Sequence, residues 1–550
     1  MIPETESAAE DRTGAAYSYL SQVSRLLRGA VENNAEQLRL ATQACAAAIA
    51  DGGLVHLFGV GHSALPVLEL FPRYGGYLGF NALYGNKNVA PAITHIPGNL
   101  VVRDINGVQI DDGNTPPNPG FPGFDPSAAQ TLGYVATMLE AGVPVVYAYI
   151  SDIHDNHVTF SGSFGPGETG YVQQAQQYNE AFGKFFARLK ADGITKANTI
   201  FVFTADENDH FAGKPGAPAG CDGVHTPCTY IRLPAGCDGD TTPCTTTNLG
   251  EVGIDLRQLL VTEFGDATAL AVHSDDAPTV YINGNPGQTD TVTRTVEQET
   301  AKLLAFDPIK NGDVPVMQRL AGTTEMSFLH MLTKDPARNP TFTLFADDDF
   351  FITATSKAPV PCKDTKTFVD CSDEQPGFNW NHGDFQEDIV HTWLALVGPG
   401  VEHQGRNGSF FTDHTDIRPT LLSLAGLKDD YAHDGRVLFE VIDDEFLPRS
   451  LTKNDDTLER LANAYKAINA PVGTLGRKTL QISTRGLKGN AATFAAVDAE
   501  LAAITAVRNG IASQMIAMLE AAEFNNTPID KKAADILIDA ANDLIASVEE

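Results

Sequence analysis

The sequence predicts an α/β protein: a largely parallel sheet sandwiched by helices, with a helix-strand-helix opening and a helical C-terminal region. Three observations carry this. Between residues 127 and 204 helical patterns alternate with short apolar runs, the order of a sheet covered on both faces. Those runs (VPVVYAYI, TIFVFT) are near-continuously apolar rather than alternating, as in buried parallel strands. The last 60 residues contain 17 alanines at helical spacing, which reads as a helical hairpin or bundle.

The elements follow in order. Residues 15–50 are rich in Ala, Leu, Gln and Glu without proline and predict a helix, stopped by Asp51-Gly52-Gly53. LVHLFGV is a short buried strand that enters Gly59-Val60-Gly61-His62-Ser63, with a second helix opening at Ser63. Strand, glycine turn and helix N-terminus together can make an anion site; the plainer reading is a tight turn with Ser63 as N-cap. Residues 96–126 are rich in Pro, Gly and Asn and predict a long loop. SAAQTLGYVATMLEAG is a helix capped by Ser127 and ended by Gly142, and VPVVYAYI is a buried strand. QYNEAFGKFFARLKADG is an amphipathic helix with Phe182, Phe185, Phe186 and Leu189 on one face and Gly193 as the stop. TIFVFT and IVHTWLALVGPG are further strands, and DIRPTLLSLAGL is a helix starting near Pro419.

Composition narrows the function classes. The chain has 550 residues, length for three or four domains of ordinary size. Its 38 basic and 70 acidic residues leave a formal charge of −32. That argues against a nucleic-acid-binding surface and against binding to an anionic membrane. No apolar run is long enough to span a bilayer. MIPETESAAEDR lacks the basic start and apolar centre of a signal peptide, so the chain as written is expected in the cytoplasm. Cys221/Cys228, Cys237/Cys244 and Cys362/Cys371 form close sequence pairs, the first two in the repeat CDGVHTPC and CDGDTTPC. Small disulfide-closed loops are the expectation, because neither repeat has zinc-site spacing.

Three strand ends carry carboxylates and imidazoles together. VPVVYAYIS runs into Asp152-Ile153-His154-Asp155-Asn156-His157, and TIFVFTA runs into Asp206-Glu207-Asn208-Asp209-His210. Asn379-Trp380-Asn381-His382-Gly383-Asp384 precedes IVHTWLALV. Open parallel sheets bind ligands beyond the carboxyl ends of their strands, and Asp, Glu and His are the ligand set of zinc and related divalent metals. Set against this, a chain so acidic places carboxylates after strands readily, and any one cluster alone reads as solvated or capping.

Two resemblances follow from these residues. GGLVHLFGVGHSALPVLELFPRYGG, within residues 17–80, resembles the opening of a SIS domain, the sugar-phosphate isomerase and binding fold, in which Gly59, Gly61 and Ser63 would line the sugar-phosphate site. Residues 84–445 resemble the C-terminal two-thirds of an alkaline phosphatase superfamily phosphoesterase. TIFVFTADENDH is similar to that family's strand ending in Asp-His, YISDIHDNH to its Asp-then-His strand, and NHGDFQED to its late His-Gly; HTWLALVGPGV and FFTDHTDIRPTLLSLAGL are similar to its closing strand and helix. The resemblance implies an alkaline phosphatase-like sheet and two metal positions. One would take Asp152, His157 and His382, with Asp155 or His154 as substitutes; the other would take Asp209 and His210, with Asp206 and Glu207 as rivals of Asp209. Zinc is the expected ion.

The expected organisation is therefore a SIS-like fragment over 1–83, a phosphoesterase region over 84–450 and a helical region over 451–550. The family's first metal-binding Asp and its Thr or Ser nucleophile belong to its N-terminal third, and no DGxxxxD-type opening stands in residues 1–83. The function expected is a divalent-metal phosphoesterase or phosphodiesterase, impaired by that loss, acting on a small phosphate ester. The alternatives are a SIS-type sugar-phosphate-binding module and a non-functional fusion. The phosphoesterase part resembles exported proteins, and the helices could pair copies into an oligomer.

Overall fold

The computed structural model describes residues 102–111, 126–150, 164–230, 250–307, 309–354, 379–428, 433–449, 451 and 455–548, and the backbone of the strands at 55–59, 80–84 and 372–374. The chain divides into two units, Met1–Ile96 and Pro97–Glu550.

In the first unit, β1 (Val55–Gly59) pairs in parallel with β2 (Phe80–Tyr84), Gly59 opposite Tyr84. β1 is the expected LVHLFGV strand. The 15–50 helix, Gly61 and Ser63 lie outside the described residues.

The second unit opens with a helix pair. In α1 (Ala128–Glu140) Ser127 and Gln130 form a reciprocal capping box, and the chain leaves the helix through Gly142 at φ +83°. α2 (Thr169–Ala191) starts earlier than its apolar pattern suggests and closes at Gly193. Ala128, Leu132 and Ala136 pack with Ala181, Phe185 and Leu189. The predicted strand between these helices does not form: residues 143–150 carry no strand pairing, and Val145, Tyr147 and Tyr149 are exposed. An apolar run reports the need for a covering neighbour but does not supply one, and among the described residues no strand hydrogen-bonds to this run.

The sheets are small and mixed, which corrects the expected largely parallel sheet. β3 (Phe201–Thr204) pairs antiparallel with β15 (Leu394–Val397), and β4 (His210–Phe211) pairs antiparallel with β14 (Trp380–Asn381). Residues 201–211 thus run against 380–397 as two ladders in one sense, with a widened gap between them. Apolar periodicity fixes burial, not strand direction, and that is why the pattern misled. β5 (Val252–Asp255) pairs in parallel with β12 (Phe350–Thr353) and antiparallel with β13 (Ser372–Glu374). β6 (Leu270–His273), β7 (Thr279–Ile282), β11 (Phe342–Ala346) and β10 (Met317–Ala321) form an antiparallel sheet, and β8 (Leu304–Asp307) and β9 (Gly312–Pro315) a hairpin. Val252, Ile254, Val280, Phe342, Leu344, Phe350 and Ile352 make the core between these strands and α3 (Leu256–Phe264) and α4 (Thr291–Thr300).

After α5 (Thr323–Phe328), α6 (Glu387–Val390) and α7 (Ile417–Leu424) come α8 (Asp455–Asn469), α9 (Thr474–Leu487), α10 (Ala491–Asn525) and α11 (Lys531–Ser547). The helical C-terminus is as expected. Its core, with Leu461, Tyr465, Ile468, Met515 and Ile538, continues into Met326, Phe328 and Phe345 of the preceding segment. Among the described residues no helix is long and apolar enough to cross a membrane.

Candidate metal centre

The gap between the two antiparallel ladders holds the candidate site. On one side stand residues 205–209, between β3 and β4; on the other stand 382–393, between β14 and β15. Asn381 faces His210 in the β4–β14 register. Continued by one residue, the register sets His382 opposite Asp209. Successive residues of a strand point to opposite faces, so Asp209 shares a face with His382 while His210 turns the other way. The contacts follow this. His382 Nδ1 lies 2.9 Å from Asp209 Oδ1, and its Nε2 lies 3.2 Å from Glu207 Oε1. His210 Nδ1 is 2.8 Å from Asp388 Oδ2 and its Nε2 is 3.6 Å from Asp349 Oδ1. Asn208 Nδ2 donates to the Asp388 carbonyl at 2.8 Å and so ties the two sides of the gap together.

Carboxylates crowd the same place. Glu251 opens β5, and Asp349 opens β12, which lies beside it. Asp275 is joined to Ile352 of β12 through backbone hydrogen bonds of 3.3 and 2.9 Å. Its Oδ1 packs so close to Gly383 that a Cβ there would sit 2.2 Å away. Gly383, at φ +96°, is therefore required both by its backbone conformation and by this approach. Glu251 and Asp276 are buried, and each has one carboxyl oxygen without a hydrogen-bond partner, as does the amide oxygen of buried Asn381.

The electrostatics report an excess of negative charge. Burial raises the Glu207 and Asp275 carboxyls, and it raises Glu251 well above the carboxylate range. Burial also raises Asp276 and pushes Asp384 up to about 8, with repulsion from neighbouring carboxylates adding to both. His382 is pushed up to about 9, first by the Asp209 hydrogen bond, with burial opposing and Glu207 assisting. For His210 burial acts downward, but the close Asp349 carboxylate and the hydrogen-bonded Asp388 carboxylate outweigh it and bring the imidazole to about 9. The cluster draws protons because it lacks positive charge.

Of the residues singled out from sequence, Asp209, His210 and His382 come together, with Asp209 in contact with His382 and His210 on the opposite face. Asp152, His154, Asp155 and His157 lie outside the described residues, as do Gly61 and Ser63; Gly59 ends β1. Cys221 and Cys228 are bridged, with a Cα separation of 5.2 Å, as the CDG-x-x-TPC pattern predicts. Cys237, Cys244, Cys362 and Cys371 lie outside the described residues. Glu251, Asp275, Asp276 and Asp347–Asp349 were not foreseen. The run FTLFADDDFF carried a signal for the last three, being an apolar strand that ends in consecutive carboxylates.

The donor set has the chemistry of a divalent-cation site, one imidazole among many carboxylates with orphaned buried oxygens on Glu251, Asp276 and Asn381, although among the described residues the trio whose ligand atoms converge is Asp307, Asp347 and Asp349, beside the gap and not in it. An oxygen-rich set of this kind suits manganese or magnesium as well as zinc.

Comparison with known proteins adds the following. Residues 18–95 match the SIS domain family, a match that runs past residue 83, where the sequence reading placed its boundary. Among solved structures, phosphonoacetate hydrolase from Sinorhizobium meliloti 1021, crystallised with phosphonoformate, is similar at 14% identity and a TM-score of 0.28. The likeness covers 51% of this chain and 53% of that one, so the chain spans about half the length of the hydrolase it matches. No curated protein matches the chain in sequence.

Proposed function

We propose that the 97–550 unit is a divalent-cation-dependent hydrolase of phosphate esters, with its cation held at the ladder gap. The observation that carries this reading is the β4–β14 pairing, which sets Asp209 and His382 in contact on one face amid surplus carboxylates. Asp209 and His382 are the proposed ligands, and Asp152 and His157, which lie outside the described residues, are proposed to complete the set. A bound cation there supplies charge stabilisation for the attacking and leaving oxygens of a phosphoryl group. On the other face, His210 held between Asp388 and Asp349 is placed to carry a proton. Because residues 1–83 hold no DGxxxxD-type opening, turnover is expected to be slow.

The test is metal content by mass spectrometry after loading with zinc, manganese or magnesium, beside turnover of nitrophenyl phosphate mono- and diesters. Stoichiometric metal that falls by half or more in His382→Ala, with slow turnover lost in the same variant, supports the reading. Metal content unchanged in both His382→Ala and Asp209→Asn would defeat it.

A second reading concerns the first unit. The SIS match over 18–95 and a strand ending at Gly59 favour sugar-phosphate binding at Gly59, Gly61 and Ser63. Equilibrium dialysis with a hexose 6-phosphate, lost in Ser63→Ala, checks it; no retention by the unaltered chain would remove it.

A further inference from the structure

A second cluster lies beyond the gap. Asp307 ends the β8 strand, and Asp347, Asp348 and Asp349 form the turn from β11 into β12. One carboxylate oxygen each from Asp307, Asp347 and Asp349 lie within 4.8 Å of one another. Into this space reaches Lys310, whose Nζ is hydrogen-bonded to Asp347 and Asp348 and lies 3.3 Å from both Asp307 Oδ2 and Asp349 Oδ2. Asp307 is fully buried; its Oδ1 accepts from the backbone N–H groups of Ile309 and Lys310, whereas its Oδ2 accepts no hydrogen bond. That orphaned oxygen faces the ammonium in an ion pair only. One ammonium thus serves four carboxylates, with the His210 imidazole approaching Asp349 Oδ1 at 3.6 Å from the gap side.

We propose that Asp307, Asp347 and Asp349 form a calcium site for which the Lys310 ammonium is a displaceable stand-in. The donors are all oxygen, the preference of hard divalent cations. Calcium accepts about six to eight oxygens at about 2.3–2.6 Å in flexible geometry, whereas magnesium demands a near-ideal octahedron; three oxygens within 4.8 Å of one another can serve as part of such a flexible set. The lysine can leave: its side chain is 36% exposed, and its stem carries the ammonium into water. On displacement, calcium takes the place of one ammonium among four carboxylates, and the orphaned Asp307 oxygen gains a ligand bond. This site adjoins the ladder gap through the Asp349–His210 approach and the hydrogen bond from Asn381 Nδ2 to the Asp348 carbonyl, and it does not depend on the hydrolase reading.

Calcium titration by isothermal calorimetry tests it, on the full chain and on Lys310→Met, Asp307→Asn and His382→Ala. Removing the competing ammonium in Lys310→Met is expected to tighten calcium binding tenfold or more. Asp307→Asn is expected to weaken it tenfold or more, and His382→Ala to leave it within twofold while the metal at the ladder gap is lost. Circular dichroism checks that each variant is folded. If Asp307→Asn fails to fold, Lys310→Met alone decides, since its only lost contacts are those of the ammonium. No calcium binding by Lys310→Met, or affinity unchanged from the full chain, overturns the proposal.

Discussion

Glu325 is a buried carboxyl with its hydrogen-bonding capacity half met: Thr479 Oγ1 donates to Oε1 at 2.9 Å, and Oε2 has no partner. Burial pushes it up to about 8, with the Thr479 hydrogen bond and the Arg508 charge offsetting only part of that. Between the ordinary carboxylate range and pH 8 the folded chain keeps a proton that the unfolded chain has released. This contribution to stability is therefore whole at low pH and declines as pH rises through that window. Glu325→Gln keeps an acceptor for Thr479 and removes the ionisation. Its melting temperature should fall less than that of the unaltered chain between about pH 5 and about pH 8.5; equal slopes in thermal melts followed by circular dichroism would show that Glu325 is already ionised. The same scale shows what could be read in advance. Asp209 and His210 were legible because they follow the apolar run TIFVFT, and His382 because it stands with Asp384 in the polar stretch ahead of IVHTWLALV. Glu251, Asp275 and Asp276 were not, because in a chain with 70 acidic residues a carboxylate at a strand start carries no mark until the strands are paired.

At the scale of elements, legibility tracks how local the determining chemistry is. α1 could be bounded from sequence because the Ser127–Gln130 capping box and the Gly142 exit are settled within a turn of the chain. Ser127→Ala should cost about 1 kcal/mol, the usual value of an N-cap, read as a shift of the urea midpoint with an unchanged slope. The strand expected at 143–150 and the parallel sense of β3 and β15 depended on partners far along the chain, and there the pattern had no say. Gly383 shows how such a long-range pairing can govern the site. Gly383→Ala puts a Cβ against the Asp275 carboxylate from a left-handed backbone position, in the turn that carries His382. It should cost more than Ser127→Ala and also lower the metal content, whereas the cap variant should leave the metal untouched. Full metal content in Gly383→Ala would mean that the turn can shift without moving His382.

For the whole molecule the question is which parts can stand alone. The 97–550 unit has its own cores, and the helices α8–α11 do not form a separate one. Leu461, Tyr465, Ile468 and Met515 pack in one cluster with Met326, Phe328, Phe345 and Phe439. Polar contacts cross the same boundary. Lys466 Nζ, buried, is 2.7 Å from Asp413 and 3.0 Å from Asp416, and Arg508 donates to the Phe328 carbonyl at 2.8 Å while its guanidinium lies over the Phe328 ring. A chain ending at residue 450 would expose Met326, Phe328 and Phe345 and leave Asp413 and Asp416 without their cation. Losing the packing around a single large core side chain costs roughly 2–5 kcal/mol, against a total stability of about 5–15 kcal/mol for a domain. A fragment spanning 1–450 is therefore expected to show no cooperative melt and no stoichiometric metal. A fragment spanning 97–550 keeps every contact named above and should melt cooperatively with the metal content of the full chain. Differential scanning calorimetry on the two fragments, beside metal analysis, separates these outcomes. A cooperative transition in 1–450 would show that the strands around the ladder gap are held by the β5–β12 core alone, with the helical region an addition to a domain already complete.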